Sequence, residues 1–215
     1  MTPRLKVNGV TSLQDARVCA ALGVEYLGFE QDPASARYVA PAGSREIIEW
    51  VVGPEPVGLF PQRAGADEVL AACRAGGFRM AQLTDAGPDV CRDVEAAGVP
   101  VIRTFPVLHD ASGEQLVAML EPFAGAASFV LLDTHGTSLW GGAGESVGWR
   151  VLREAAASTP LFLAGSVSAG NAAEALRVRP FAVDVGPSVE EAPGVLDFRV
   201  LGELVEALSD DGRAN

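Results

Sequence analysis

Residues 79–105, RMAQLTDAGPDVCRDVEAAGVPVIRTF, hold one complete strand–helix–strand unit. The segment opens on a short apolar run, RMAQL (79–83), and closes on a second, VPVIRTF (99–105). An amphipathic stretch lies between them and ends at Gly98, the residue type that stops a helix in the left-handed conformation. Nearly continuous apolar runs of this length predict parallel strands buried on both faces. The same pattern recurs outside this segment: LKVNG (5–9), YLGFE (26–30) and PVGLF (56–60) precede it, and SFVLLD (128–133), PLFLAG (160–165) and FAVDVG (181–186) follow it. Eight candidate strands, most starting roughly 20–30 residues apart, have the period of βα units.

The expected fold is therefore α/β, a single-domain (β/α)₈ TIM barrel with eight parallel strands over residues 1–208 and a flexible C-terminal tail at 209–215. A doubly wound open sheet is the alternative. Its GxGxxG marker is missing after the first strand, where Gly9 is followed by Val-Thr-Ser. The capping-box pattern pairs Thr11 with Gln14 and Ser112 with Gln115. Gly23 and Gly76 are further helix stops, and Phe198, Leu201, Leu204, Val205 and Leu208 share one face of the last helix.

Composition narrows the function classes. The 215 residues are 48% apolar and 20% charged, enough for a packed core. Sixteen Lys and Arg against 28 Asp and Glu give a net charge of −12, which argues against nucleic acid as a partner. MTPRLKVNG carries no signal-peptide run. Residues 155–173 are uncharged, but Pro160, Gly165, Gly170 and Asn171 argue against a membrane span. Cys19, Cys73 and Cys91 have no framework spacing and read as reduced thiols of a cytoplasmic protein. His109 and His135 alone do not make a zinc site, and no metal is expected.

Barrel chemistry sits at the C-terminal ends of strands and in the loops after them. That rule selects Asn8, Glu30, Arg37, Arg63, Thr84, Asp85, Arg103, Asp133, His135, Gly165, Ser166, Asp184 and Gly186.

KVNGVTSLQDARVCAALGVEYLGF, PASARYV (33–39), FVLLDT (129–134), GGAG (141–144), LAGSVSAGNAAEAL (163–176) and VDVGPSVEEAPGVLD (183–197) resemble, in order, the blocks of the phosphoribosylanthranilate isomerase family. The resemblance implies an Amadori rearrangement of N-(5-phosphoribosyl)anthranilate in tryptophan biosynthesis, without a cofactor. A general acid protonates the furanose ring oxygen and a general base takes the C2′ proton. By the same resemblance Asp133 is the acid and Arg37 grips the anthranilate carboxylate. Gly142, Gly144, Gly165, Ser166, Gly186 and Ser188 belong to loops that hold the substrate, chiefly its phosphate.

Four sites depart from the family pattern. Asn8 replaces the Cys that serves as base, and an amide has no useful basicity near pH 7. Thr84-Asp85 replaces His-Gly, Gly165-Ser166 replaces Gly-Gly, and Pro187-Ser188 replaces Ser-Gly, with no N–H at Pro187. Glu30 is the first candidate for a relocated base, ahead of Asp85 and His135, because it lies between the Asn8 strand and the Arg37 loop. Three readings follow: the family isomerase with a substituted base, a related enzyme for another phosphorylated or carboxylated metabolite, and a non-catalytic metabolite- or protein-binding relative. The expected partner is a small phosphosugar or anthranilate-type molecule, with no membrane and a monomeric or homodimeric state.

Overall fold

The computed structural model describes residues 3–61, 63–107, 113–134 and 160–210. Eight parallel strands close into a barrel: β1 (Arg4–Asn8), β2 (Tyr26–Glu30), β3 (Glu55–Phe60), β4 (Met80–Leu83), β5 (Val101–Pro106), β6 (Phe129–Asp133), β7 (Leu161–Ala164) and β8 (Ala182–Val185). Each strand pairs with the next, and β8 pairs with β1 from Arg4↔Ala182 to Val7↔Val185. Every apolar run of the sequence is a strand, with edges that coincide or shift by at most two residues. Val99 and Pro100 lie outside β5, and Pro106 extends it. Leu161–Ala164, inside the uncharged window, is a barrel strand, and no described helix is long and apolar enough to cross a membrane.

The outer layer contains α1 (Leu13–Ala21), α2 (Pro41–Glu49), α3 (Ala66–Gly76), α4 (Pro88–Ala96), α5 (Gly113–Leu120), α6 (Ala172–Arg177) and α7 (Phe198–Asp210). The cap of α1 is Ser12 rather than Thr11: its Oγ accepts from the Asp15 N–H at 3.1 Å. Thr11 Oγ1 instead donates to the Gly194 carbonyl at 2.6 Å, so the Thr11–Gln14 box does not form. The left-handed stop of α3 is Gly77, one residue beyond Gly76. Ser209 and Asp210 belong to α7, so the expected tail begins too early; residues 211–215 and the Ser112 half of the second capping box lie outside the described residues.

Alternation along each strand separates two cores. Leu5, Val7, Leu27, Phe29, Leu83, Val101, Leu132, Leu163 and Val183 face outward and pack with the helices. Tyr26, Val57, Leu59, Met80, Ile102, Leu131, Phe162 and Ala182 face the barrel interior. Tyr26, Phe162, Phe129 and Phe181 plug its N-terminal end, with ring centroids 5.4 Å apart for Tyr26–Phe162, 5.5 Å for Phe162–Phe129 and 5.1 Å for Phe129–Phe181, and the Arg4 guanidinium lies 4.2 Å from the Phe181 ring centroid. Aromatic contacts of this kind are worth ~0.5–1.5 kcal/mol each beyond the area they bury. Towards the C-terminal ends the inward positions turn polar: Lys6 and Asn8, Glu30, Gln82, Thr104, Asp133 and Asp184.

Candidate active site

The floor of the polar mouth is a four-residue network. Lys6 Nζ donates to Asp184 Oδ2 at 2.5 Å, to Gln82 Oε1 at 2.7 Å and to Asn8 Oδ1. Asn8 Nδ2 donates to Asp184 Oδ1 at 2.7 Å. Lys6 is fully buried and Asp184 nearly so. Burial lowers the Lys6 pKa and raises that of Asp184, and the attraction between the two opposes both shifts. A buried ammonium is tolerable only with its charge matched and its three N–H groups engaged. Here β1 supplies Lys6 and Asn8, β8 supplies the counter-charge, and β4 closes the set from across the barrel.

This arrangement fixes Asn8. Its carbonyl oxygen faces the Lys6 ammonium and its amide nitrogen faces the Asp184 carboxylate. The side chain at the expected base position is thus an oriented neutral group over a buried ion pair. Sequence reasoning named Asp184 as a strand-end residue but did not assign roles to Lys6 or Gln82. The available signal was a lysine at an inward position of an otherwise apolar strand run, LKVNG.

Glu30, at the inward end of β2, is half-buried. Its Oε1 accepts from the backbone N–H of Gln31 at 3.2 Å and of Asp32 at 3.4 Å. Burial pushes its pKa above the ordinary value; these N–H groups and the Arg37 charge pull it partly back. Asp133 ends β6 at an inward position and its charge is felt at Asp184. Its carbonyl accepts from Val107 N at 2.8 Å, which ties the end of β5 to that of β6.

Arg37 follows β2 and meets a carboxylate of its own chain. Nε donates to Glu190 Oε1 at 2.7 Å and to Oε2 at 3.0 Å, and Nη2 donates to Oε2 at 2.5 Å. Glu190 opens a short antiparallel hairpin, β9 (Glu190–Ala192) with β10 (Val195–Leu196), which follows β8. No sequence pattern singled out Glu190.

After β7, Gly165 and Ser166 both have left-handed backbones, φ 112° and 58°. A serine is strained there where glycine would not be. Asn171 Nδ2 donates to the Ser166 carbonyl at 3.0 Å, and Ser168 and Asn171 form a capping box. After β8, Gly186 precedes a single 3₁₀ turn, Pro187–Val189, that includes Ser188. Gly142, Gly144, His109 and His135 lie outside the described residues.

Three expected strand-end residues are engaged outside the Lys6 network. Asp85 and Arg63 are exposed and face each other at 3.7 Å. Arg103 alternates to the outer face of β5. It lies 4.6 Å from the Phe105 ring centroid and donates to the carbonyls of Ala86 at 2.9 Å and Thr84 at 2.5 Å. The three cysteines are buried in α1, α3 and α4, and burial pushes the Cys19 and Cys73 thiols up to about 12.

A closed (β/α)₈ barrel with carboxylates and one arginine gathered at its C-terminal mouth defines a class of barrel built for acid–base work on an anionic small molecule. The model of the N-(5'phosphoribosyl)anthranilate (PRA) isomerase family matches residues 5–207, and the chain belongs to that family. The N-(5'-phosphoribosyl)anthranilate isomerase of Trichlorobacter lovleyi is 35% identical over 210 residues, covering 94% of this chain and 96% of the relative. That of Geobacter sulfurreducens is 34% identical over 208 residues, covering 94% and 96%. The crystal structure of the Thermus thermophilus enzyme superposes with a TM-score of 0.81 at 32% identity, covering 96% of this chain and 98% of its own. A phosphoribosyl anthranilate isomerase in complex with reduced 1-(o-carboxyphenylamino)-1-deoxyribulose 5-phosphate superposes with a TM-score of 0.81 at 25% identity, covering 97% and 99%.

Proposed function

We propose that this chain isomerises N-(5-phosphoribosyl)anthranilate to its 1-deoxyribulose form, with Asp133 as general acid and Glu30 as general base. The observation that carries the reading is the convergence of Asp133, Glu30 and Arg37 at one barrel mouth, in a chain that matches the isomerase family from residue 5 to 207. Asp133 gives its proton to the furanose ring oxygen as the C1′–O bond opens, leaving an iminium between C1′ and the anthranilate nitrogen. Glu30 removes the C2′ proton, and the C–H electrons form the C1′=C2′ enamine while the iminium is neutralised. Tautomerisation gives the ketone. The proton lost by the acid and the proton gained by the base balance, so no redox partner is required.

Glu30 suits the base role in three respects. It faces inward one turn of alternation above Gly28, which pairs with Asn8. It is partly open to solvent, and burial makes it more basic than an ordinary glutamate. It also stands within electrostatic reach of Arg37, the residue assigned to the substrate carboxylate. The loops at Gly165–Ser166 and Gly186–Ser188 hold the phosphate, together with Gly142 and Gly144.

A related reaction on another phosphorylated or carboxylated metabolite is the second reading. It is favoured by Asn8 at the base position and by Pro187, which offers no N–H to a phosphate. The test is an assay with substrate formed in situ from anthranilate and phosphoribosyl pyrophosphate, followed by its fluorescence decay. Asp133→Asn and Glu30→Gln are each expected to lose about 10²–10⁴-fold in kcat. A silent wild-type protein would move the assignment to the second reading.

A further inference from the structure

We infer that Glu190 is a positioning residue for substrate-carboxylate recognition, acting through Arg37; the inference rests on the isomerase reading above. An arginine in an open mouth has many rotamers, and only one presents a given edge to a ligand. Here the Nε–Nη2 edge is held bidentately by Glu190, which fixes both the position and the plane of the guanidinium. The asymmetry of exposure sets the roles. The Glu190 side chain is 3% exposed and that of Arg37 is 27% exposed, so the carboxylate is the anchored partner. Among the described residues Nη1 makes no hydrogen bond, which leaves the second edge of the fork for an incoming carboxylate.

The neighbours of the pair are shaped to hold it. The Gly194 N–H donates to Glu190 Oε1 at 3.3 Å, and the Thr11 hydroxyl pins the Gly194 carbonyl at 2.6 Å. At Gly9, where φ is +77°, a Cβ would stand 2.6 Å from Glu190 Oε1 and 3.0 Å from Arg37 Cδ. Glycine therefore lets the end of β1 pass against the pair. Three loops, after β1, β2 and β8, thus meet on one guanidinium. A surface ion pair would need none of this.

The experiment compares two ligands by titration calorimetry: reduced 1-(o-carboxyphenylamino)-1-deoxyribulose 5-phosphate and the same compound without its ring carboxylate. Wild type is expected to prefer the carboxylated ligand. In Glu190→Gln that preference is expected to fall roughly tenfold, while the affinity for the ligand without the carboxylate stays within about twofold. In turnover the same variant is expected to raise KM roughly tenfold and to alter kcat much less. Glu190→Asp, too short to span both nitrogens, is expected to fall between the two. A preference unchanged in both variants would overturn the inference, even if their melting temperatures drop. So would failure of both to fold, which would make the pair a structural tie. Binding of neither ligand by wild type would instead defeat the isomerase reading, and the inference with it.

Discussion

Glu30 is pulled two ways: burial favours the neutral acid, while the Gln31 and Asp32 N–H groups and Arg37 favour the carboxylate, and burial wins. A base must be ionised to work. The acidic limb of kcat/KM is therefore expected above the ordinary 4.5 of a glutamate, and to vanish in Glu30→Gln, whose residual rate should be flat across that limb. Stability runs in the opposite direction. The folded carboxyl holds its proton more tightly than the unfolded chain does, so its contribution is complete below the unfolded pKa and fades as pH rises through the folded one. Denaturant unfolding of wild type and Glu30→Gln across this window checks the sign. Lys6 makes the complementary case. Lys6→Met leaves Asp184 buried without its counter-charge and is expected to cost about 3–5 kcal/mol in urea unfolding. Adding Asp184→Leu should recover much of that loss, because two apolar groups in the barrel leave no charge to solvate.

Strands β1 and β2 show how an element places a functional group. Their register sets Asn8 beside Gly28, and a Cβ on Gly28 would fall 2.3 Å from Asn8 Oδ1. Gly28→Ala is thus expected to push the amide off Lys6 and leave one ammonium N–H unsatisfied, a cost of about 1–3 kcal/mol measurable by denaturation. If stability is unchanged, Asn8 is not held by the network. The strands themselves were legible because a parallel strand buried on both faces is written as a local apolar run. Strand-end position was enough to nominate Asp133, Asn8, Glu30 and Arg37 for the mouth. It misplaced Arg103, because the rule ignores alternation, and alternation turns that side chain onto Phe105 and Phe123. The pairs that organise the site were not legible, since Lys6 and Asp184 are 178 residues apart and Arg37 and Glu190 are 153 apart. No local spacing encodes such partners; only closure of the barrel brings β8 against β1. The move of the α1 cap from Thr11 to Ser12 has the same origin, because Thr11 is taken by the distant Gly194.

At the scale of the molecule, closure divides the labour between two cores. The inner one ends in the polar mouth, and the outer one joins strands to helices. Helix α7 belongs wholly to the second. Asp197 caps it, its Oδ1 accepting from the N–H groups of Arg199 and Val200 at 3.0 Å each. Leu201, Leu204 and Leu208 then bury one face, with Leu204 fully out of solvent. Leu204→Ala removes three heavy atoms from that layer and leaves a cavity, with an expected loss of about 2–5 kcal/mol. For a chain of this length that corresponds to a fall in Tm of roughly 5–20 °C. Activity well below the transition should respond differently. Leu204 packs in the outer core, whereas Asp133, Glu30 and the Lys6 network face inward, so kcat/KM at 25 °C is expected to stay within about twofold of wild type. A large fall in kcat/KM with little change in Tm would mean that outer packing sets the geometry of the mouth, and the two cores would have to be treated as one.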